Sequence, residues 1–505
     1  MVEAIIIGSG IGGLATAIRL ARQGISVQVY ESYEKAGGKI GERNLNGFRF
    51  DTGPSLLTLP ELVLELLDDD LKFEIRKLEI ITNYFYEDGT RLAAYSDVQK
   101  LAAEIGGKLQ VPEARVTGYL EKAATIYELT ADLFIFGTFH RIKNLMRIKS
   151  LKTFLNFRKL HAFSSLHKFN ERELGDKRLV QLFDRYATYN GSNPYKTPAT
   201  LSVISHLEHN LGAFIPEEGM FKVIESMMQQ AIRLGVKFNF GQPVEIVEIK
   251  NGYVQGVWVD NGFIPAQIVV SDVDIHHFYS SLLFDSHRLA KIMKEERSSS
   301  ALIFYWGMKG TFPELDVHNI FFSANYQQEF DHLFIKKDVF DDPTVYIYIS
   351  SKYHKEDAPE GFENWFVMIN APADVGQNWE EVVDNARFWI MEKLERILGK
   401  ELLYYIVNEE VLTPSEIGRQ TGSVNGSIYG NSSNRRYASF NRHANFRRDI
   451  EGLYFVGGSV HPGGGIPLCL SSANIVEGLV KEQLVKIKRL KNKHIPRPRD
   501  IGNID

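Results

Sequence analysis

The sequence predicts an α/β protein built on a doubly wound, Rossmann-like parallel sheet, and three observations predict it. Residues 4–7 form a short apolar run, which meets the turn Gly8-Ser9-Gly10-Ile11-Gly12-Gly13. A helix over 14–23 follows, with Leu14, Ala17, Ile18 and Ala21 at helical spacing and Gly24 as its stop, and then a second apolar run, 27–30, ending at Glu31. A strand, glycine-rich loop and helix recur near the far end, with a strand over 453–456 and a helix over 471–484. Strands alternating with helices in this way pack as parallel sheets.

The elements between read in order. Residues 100–235 are mostly helical. A hairpin follows over 244–249 and 253–259, turning at Asn251-Gly252, and Asn261-Gly262 turns the chain again before an apolar strand at 268–270. Strands at 301–306, 344–349 and 365–369 are rich in β-branched and aromatic residues, and a helix spans 379–398. With no internal repeat or linker in view, the expectation is interleaved domains. Residues 1–70, 236–285 and 440–485 make the nucleotide-binding domain; 71–105 and 286–439 make an α+β substrate domain. Residues 106–235 form a helical, membrane-associating region, and 486–505 a basic tail.

Composition narrows the function classes. The chain has 505 residues, 44% of them hydrophobic, and a formal net charge of −5, which gives no global case for nucleic-acid binding. The single cysteine, Cys469, excludes an intramolecular disulfide and a CxxC site and fits a reducing compartment. His276-His277 lacks a matching cysteine or carboxylate pattern, so no metal is expected. No apolar run reaches the ~18 residues of a spanning helix. The first strand starts at about Glu3 and leaves no room for a leader, so the expected location is cytoplasmic.

Three motifs carry chemistry. In the first turn, Gly8 permits the bend, Gly10, Ile11 and Gly12 bring backbone close to a pyrophosphate, and Gly13 lets the helix pack on the strand. Glu31 is placed to accept hydrogen bonds from ribose hydroxyls; the plainer reading is a solvated strand-end charge. A second segment, Ala36-Gly37-Gly38-Lys39 and then Asp51-Thr52-Gly53-Pro54-Ser55, separates FAD from NAD. Gly38 lets the chain pass a long cofactor, Lys39 meets its pyrophosphate, and Gly53, Pro54 and Ser55 make a rigid turn beside the isoalloxazine, unless this is a plain surface turn. The third motif runs from Gly457-Gly458 through His461-Pro462-Gly463-Gly464-Gly465-Ile466-Pro467. Gly458, Gly465, Ile466 and Pro467 offer backbone to the ribityl chain and flavin. Non-covalent FAD is the expected cofactor. Cys469 reads as an inert thiol, not a flavin attachment point.

These residues resemble the carotenoid desaturase family of FAD-dependent, amine-oxidase-like flavoproteins. The resemblance also includes Gly191-Ser192-Asn193-Pro194, Gly212-Ala213-Phe214-Ile215-Pro216, Val270-Ser271-Asp272 and Thr413-Pro414, and its most specific part is the loop from His461 to Pro467. It implies that Val244 contacts the adenine end through its backbone. The chain departs from phytoene desaturases at Glu218-Gly219, where they carry a glycine pair, at Arg442-His443-Ala444-Asn445, where they carry Arg-Pro-x-Asn, and at Leu468, where they carry glycine. Leu468, the segment 440–446 and the segment 48–60 are more similar to the hydroxycarotenoid 3,4-desaturase branch.

The resemblance implies hydride removal from a carbon beside a polyene to flavin N5, then loss of a proton from the neighbouring carbon. It favours 3,4-desaturation of a 1-hydroxylated acyclic carotenoid, with a phytoene-type desaturase or a carotenoid-oxidising relative, an amine oxidase or a non-enzymatic carotenoid carrier as alternatives. The cofactor carries such chemistry. His461 and Arg442 are the candidate catalytic side chains, against plainer readings as a hydrogen bond to loop backbone and a structural contact. Asp51 reads as a local cap. Between Asp132 and Glu171 there is no acidic residue, while Arg141, Lys143, Arg147, Lys149, Lys152, Arg158, Lys159 and Lys168 alternate with large apolar side chains. That mixture predicts docking on an anionic membrane surface, the alternative being a solvated basic face over a core helix. The partners expected are therefore a lipophilic carotenoid and a membrane surface, and no nucleic acid; oligomeric state is not legible.

Overall fold

The computed structural model describes residues 3–141, 156, 160, 161, 163–260, 262–435 and 438–493. A five-stranded parallel sheet runs in the order Leu453–Phe455, Ile268–Ser271, Glu3–Ile7, Ser26–Tyr30, Lys237–Asn239. Its strands are apolar on both faces because both faces are covered. On one face, Ile6, Val27 and Val270 pack against helices Ile11–Arg22, Phe221–Arg233 and Ile466–Lys493. On the other, Ile5, Val269 and Phe455 pack against a three-stranded antiparallel sheet, Ile246–Lys250, Tyr253–Val259 and Gly262–Pro265. The hairpin between its first two strands turns through Asn251 and Gly252, both at positive φ, as an Asn-Gly turn should. Its first strand starts at Ile246, two residues later than the pattern suggests, because Pro243 and Val244 are diverted to the cavity wall described below. Asn261 lies outside the described residues.

A second sheet has seven strands, in the order Ile406–Leu412, Ser300–Lys309, Phe362–Ala371, Val345–Tyr348, His318–Phe321, Ile80–Phe85, Arg91–Tyr95. Trp306 and Trp365 are fully buried beneath helix Trp379–Leu398, against its Ala386, Ile390 and Leu394. The hairpin 80–95 and the strand 406–412 were not singled out from the sequence. Glu409 and Glu410 interrupt the latter as an edge strand tolerates, and they meet Trp306 Nε1 and Arg43 there.

Helices Glu113–Phe134, Leu166–Leu174 and Lys177–Asp184 bury Tyr119, Phe169 and Phe183 in a core shared with Tyr84, Leu92, Ala94 and Ile320 of the seven-stranded sheet. Most of the basic segment, with Lys143, Arg147, Lys149, Lys152, Arg158 and Lys159, lies outside the described residues, as does the tail from 494. At its edge, Arg141 pairs with Glu482 and lies 5.2 Å above the Phe446 ring, while Phe163 and Phe440 are exposed. Among the described residues, no helix is long and apolar enough to cross a membrane.

The last helix corrects the sequence reading. It begins at Ile466, not Ser471, because Pro467 falls in the first turn, where its fixed φ suits the helix and its missing N–H removes no hydrogen bond.

Candidate cofactor and substrate site

The loops that follow all five parallel strands converge on one cavity of about 990 Å³, at the carboxyl edge where such sheets bind ligands. Fifteen of the sixteen residues expected to bind the cofactor line it: Gly8, Gly10, Ile11, Gly12, Glu31, Gly38, Lys39, Gly53, Pro54, Ser55, Val244, Gly458, Gly465, Ile466 and Pro467. Gly13 does not; its N–H donates to Asp272 Oδ2 at 2.9 Å. A Cβ on Gly13 would stand 2.2 Å from the Gly8 carbonyl oxygen, so helix and strand pack as closely as the motif requires.

Glu31 is locked at the cavity edge. Its Oε2 accepts from the Ser9 N–H (2.8 Å) and hydroxyl (2.7 Å), and its Oε1 from the Tyr33 N–H (3.0 Å). It is not a free solvated charge, and its carboxylate stands at the wall where a ribose would lie. The helices starting at Ile11 and Ile466 both present first-turn amides to the cavity, where no intrahelical acceptor exists. Donors at two helix ends, a carboxylate in the cavity wall and bare glycine backbone along it fit a dinucleotide carrying a flavin.

Lys39 differs in detail from its expected role. Burial lowers its pKa, and its ammonium donates to the Ile428 and Ser427 carbonyls at 2.7 and 3.4 Å. It ties the cavity wall together. Arg297 holds the same wall from behind: it pairs with Asp274 and donates to Ser427 Oγ (3.1 Å) and Asn431 Oδ1 (3.1 Å). Below it, Thr413 and Glu416 form a reciprocal capping box that starts helix Pro414–Thr421 and brings Ile417, Gln420 and Thr421 to the cavity.

Neither candidate catalytic side chain lines the cavity. His461 is 1% exposed, its Nε2 is 2.8 Å from the Gly137 carbonyl, and its ring packs edge-on against Phe139. Burial drives its pKa to about 3, so it is neutral. Arg442 donates to Asn190 Oδ1 (3.0 Å) and Ser433 Oγ (3.3 Å), and burial lowers its pKa to about 10. Both tie the loop from His461 to Pro467 to neighbouring segments; a Cβ on Gly463 would stand 3.1 Å from the Arg442 guanidinium carbon. Cys469 faces the cavity, and burial pushes its thiol up to about 12. Asp51 accepts from the Met220 N–H (3.1 Å) and Arg49 (3.0 Å), a wider bridge than a local cap.

The residue missed from the sequence is Asp272. It follows Ile268–Ser271 as Glu31 follows Ser26–Tyr30, and that strand-end position was the available signal. Its oxygens would stand 2.5, 2.7 and 2.2 Å from a Cβ on Gly10, Gly12 and Gly457. Room for this carboxyl therefore demands glycine at Gly10, besides any approach to a phosphate. Burial raises its pKa to about 7; the Gly13 N–H and Lys39 oppose the shift and Glu31 adds to it.

This fold and cavity define a dinucleotide-binding flavoprotein. Residues 11–299 match the model of the flavin-containing amine oxidoreductase family. The chain is 44% identical to the 1-hydroxycarotenoid 3,4-desaturase of Flavobacterium sp. (strain P99-3), over 95% of this chain and 99% of the relative. It is 28% identical to a phytoene desaturase of Fusarium fujikuroi, over 98% and 91%. An oxidoreductase from Methanosarcina mazei shares the fold at a TM-score of 0.61 and 16% identity, covering 95% of this chain and all of the other. The chain belongs to the carotenoid desaturase family, within the flavin-containing amine oxidoreductases, and is an FAD-dependent oxidoreductase.

Proposed function

We propose that this enzyme desaturates a carotenoid, introducing a 3,4 double bond at a 1-hydroxylated acyclic end. The observation that carries this reading is the 44% identity to a 1-hydroxycarotenoid 3,4-desaturase over nearly the full length of both chains. The cavity supports it: beyond the glycine loops it continues between Ile303, Ile320, Phe366 and Met368, an apolar wall suited to a polyene.

When bound, FAD supplies the hydride acceptor. The protein's residues do the rest. Glu31 would hold the ribose, and the first-turn amides at Ile11–Gly12 and Ile466 would donate to the phosphates and the flavin. Gly53, Pro54 and Ser55 would flank the flavin. Apolar side chains exclude water from the polyene. Neither His461 nor Arg442 is within the cavity, so they position the loop above it and take no proton. Asp272 lies against the first glycine loop, and burial raises its pKa to about 7, so near neutrality it would carry only part of a negative charge beside a bound pyrophosphate.

In this reading the discontinuous segments 1–70, 236–285 and 440–485 bind FAD together with helix Phe221–Arg233, which packs on their sheet, while 71–105 and 286–439 shape the substrate chamber. The basic, aromatic stretch between Asp132 and Glu171 docks the enzyme peripherally on the cytoplasmic membrane surface, where the substrate dissolves. Exposed Phe163 within that stretch, and exposed Phe440, whose ring meets Phe134 and Phe139 of it, favour the same surface.

The test offers the holoenzyme liposomes holding a 1-hydroxylated acyclic carotenoid, lycopene or phytoene separately. A red-shifted pigment is expected from the hydroxylated substrate. Reaction with phytoene alone would replace this assignment with a phytoene-type desaturase.

A further inference from the structure

The apolar chamber has a polar spot, and nothing in the proposed hydride transfer uses it. His318 stands in the cavity wall, 4% exposed, on strand His318–Phe321. Its Nδ1 is 2.8 Å from the Tyr346 hydroxyl, which in turn shares a hydrogen bond with Ser55 Oγ. Its Nε2 has no hydrogen-bond partner among the described residues, nor does the hydroxyl of Tyr326, another wall residue. Arg185 completes the spot. Its guanidinium donates to Glu208 Oε1 at 3.1 Å and Tyr189 OH at 3.2 Å, and its Nε has no partner among the described residues. Buried polar atoms are almost always satisfied, so several orphans along one cavity wall call for a ligand that satisfies them.

The chemistry of the spot selects the ligand. Burial and the Arg185 charge keep His318 neutral, with a pKa near 3. Arg185 and Glu208 cancel each other, so the wall offers no net charge to a carboxylate or an ammonium group. A neutral imidazole tied through Tyr346 to Ser55 offers Nε2 as donor in one tautomer and acceptor in the other. A hydroxyl, which can both donate and accept, matches either. The tie to Ser55 also links the spot to the turn that would flank the flavin, and the hydroxyl oxygen of a 1-hydroxylated end is only three bonds from carbon 3.

We propose that His318, held by Tyr346 and Ser55, binds the tertiary hydroxyl of the carotenoid end and thereby registers the 3,4 bond against the flavin. This rests on the desaturase reading above. It makes His318 a specificity-determining residue, distinct from the cofactor-binding set.

The test measures, on purified holoenzyme, the affinity for a 1-hydroxylated acyclic carotenoid and for the same polyene without the hydroxyl, by quenching of flavin fluorescence. The kcat/KM ratio for the same pair is measured alongside. Wild type is expected to prefer the hydroxylated polyene by about tenfold or more, because a site built for a hydroxyl leaves its polar atoms unpaired without one. His318→Leu and Tyr346→Phe are expected to bring the preference close to one with FAD content unchanged, and His318→Gln to restore part of it. Tyr346→Phe keeps the ring and decides the matter if His318→Leu does not fold. Desaturation of the hydroxylated carotenoid with an unaltered preference in Tyr346→Phe and in any folded His318→Leu would overturn the hydroxyl site alone. Wild type that desaturates only unhydroxylated polyenes would overturn the desaturase reading as well.

Discussion

Replacing Asp272 with Asn should change how the stability of the apoprotein depends on pH. The carboxyl is enclosed beside Gly10, Gly12 and Gly457, and burial raises its pKa from 3.8 to about 7. The folded state then keeps a proton that the unfolded chain releases. Below about pH 4 both states are protonated and the group contributes nothing. Between about pH 4 and pH 7 folding takes up a proton, so stability falls as pH rises, and above about pH 7 the loss is complete. At ~1.4 kcal/mol for each tenfold change in the acid constant, a rise from 3.8 to about 7 gives about 4 kcal/mol for a sealed carboxyl. Because Asp272 also faces the cavity, water there reduces this to roughly 2 kcal/mol. Asn keeps an oxygen for the Gly13 N–H and cannot ionise. The assay is urea unfolding of the apoproteins, followed by tryptophan fluorescence, from about pH 4.5 to pH 8. Asp272→Asn should lie nearest wild type at the acid end and pull ahead as pH rises, to about 2 kcal/mol at the alkaline end. Curves that stay parallel across the range would refute the argument.

Other outcomes follow from the same geometry. Gly457→Ala puts a Cβ 2.2 Å from Asp272 Oδ1 at a φ of +90°, so purified protein should lack most of its flavin absorbance. Glu31→Gln removes the charge from the acceptor for Ser9, Tyr33 and the ribose; titration calorimetry should record FAD binding weaker by about tenfold, or ~1.4 kcal/mol, with an unchanged fold. Replacing the basic residues between Arg141 and Lys168 with glutamine should abolish sedimentation with anionic liposomes while leaving FAD content intact; persistence of binding would end the docking idea.

The nucleotide half of the fold was legible because its signals are local. A buried strand, a glycine turn and an amphipathic helix lie within twenty-odd residues, and each glycine has a steric reason visible at short range, as Gly13 has against Gly8. The last loop was legible for the same reason, although its helix start was set five residues late because Pro467 reads as a breaker when its place in the first turn is unknown. The substrate chamber was not legible. His318, Tyr346, Ser55 and Arg185 come from four distant segments, and no spacing in the chain announces that they meet. His461 drew attention as a titratable group in a glycine-rich loop. Sequence could not reveal that residues 137–139, more than three hundred positions earlier, would cover it.

Desaturation itself is tested most directly by anaerobic mixing of the holoenzyme with a 1-hydroxylated acyclic carotenoid in liposomes, reading flavin and pigment absorbance together. The account predicts that the oxidised flavin bleaches while one additional conjugated double bond appears per flavin reduced, and that phytoene leaves the flavin oxidised. Flavin that stays oxidised with the hydroxylated carotenoid, or bleaches only with phytoene or an amine, would contradict it.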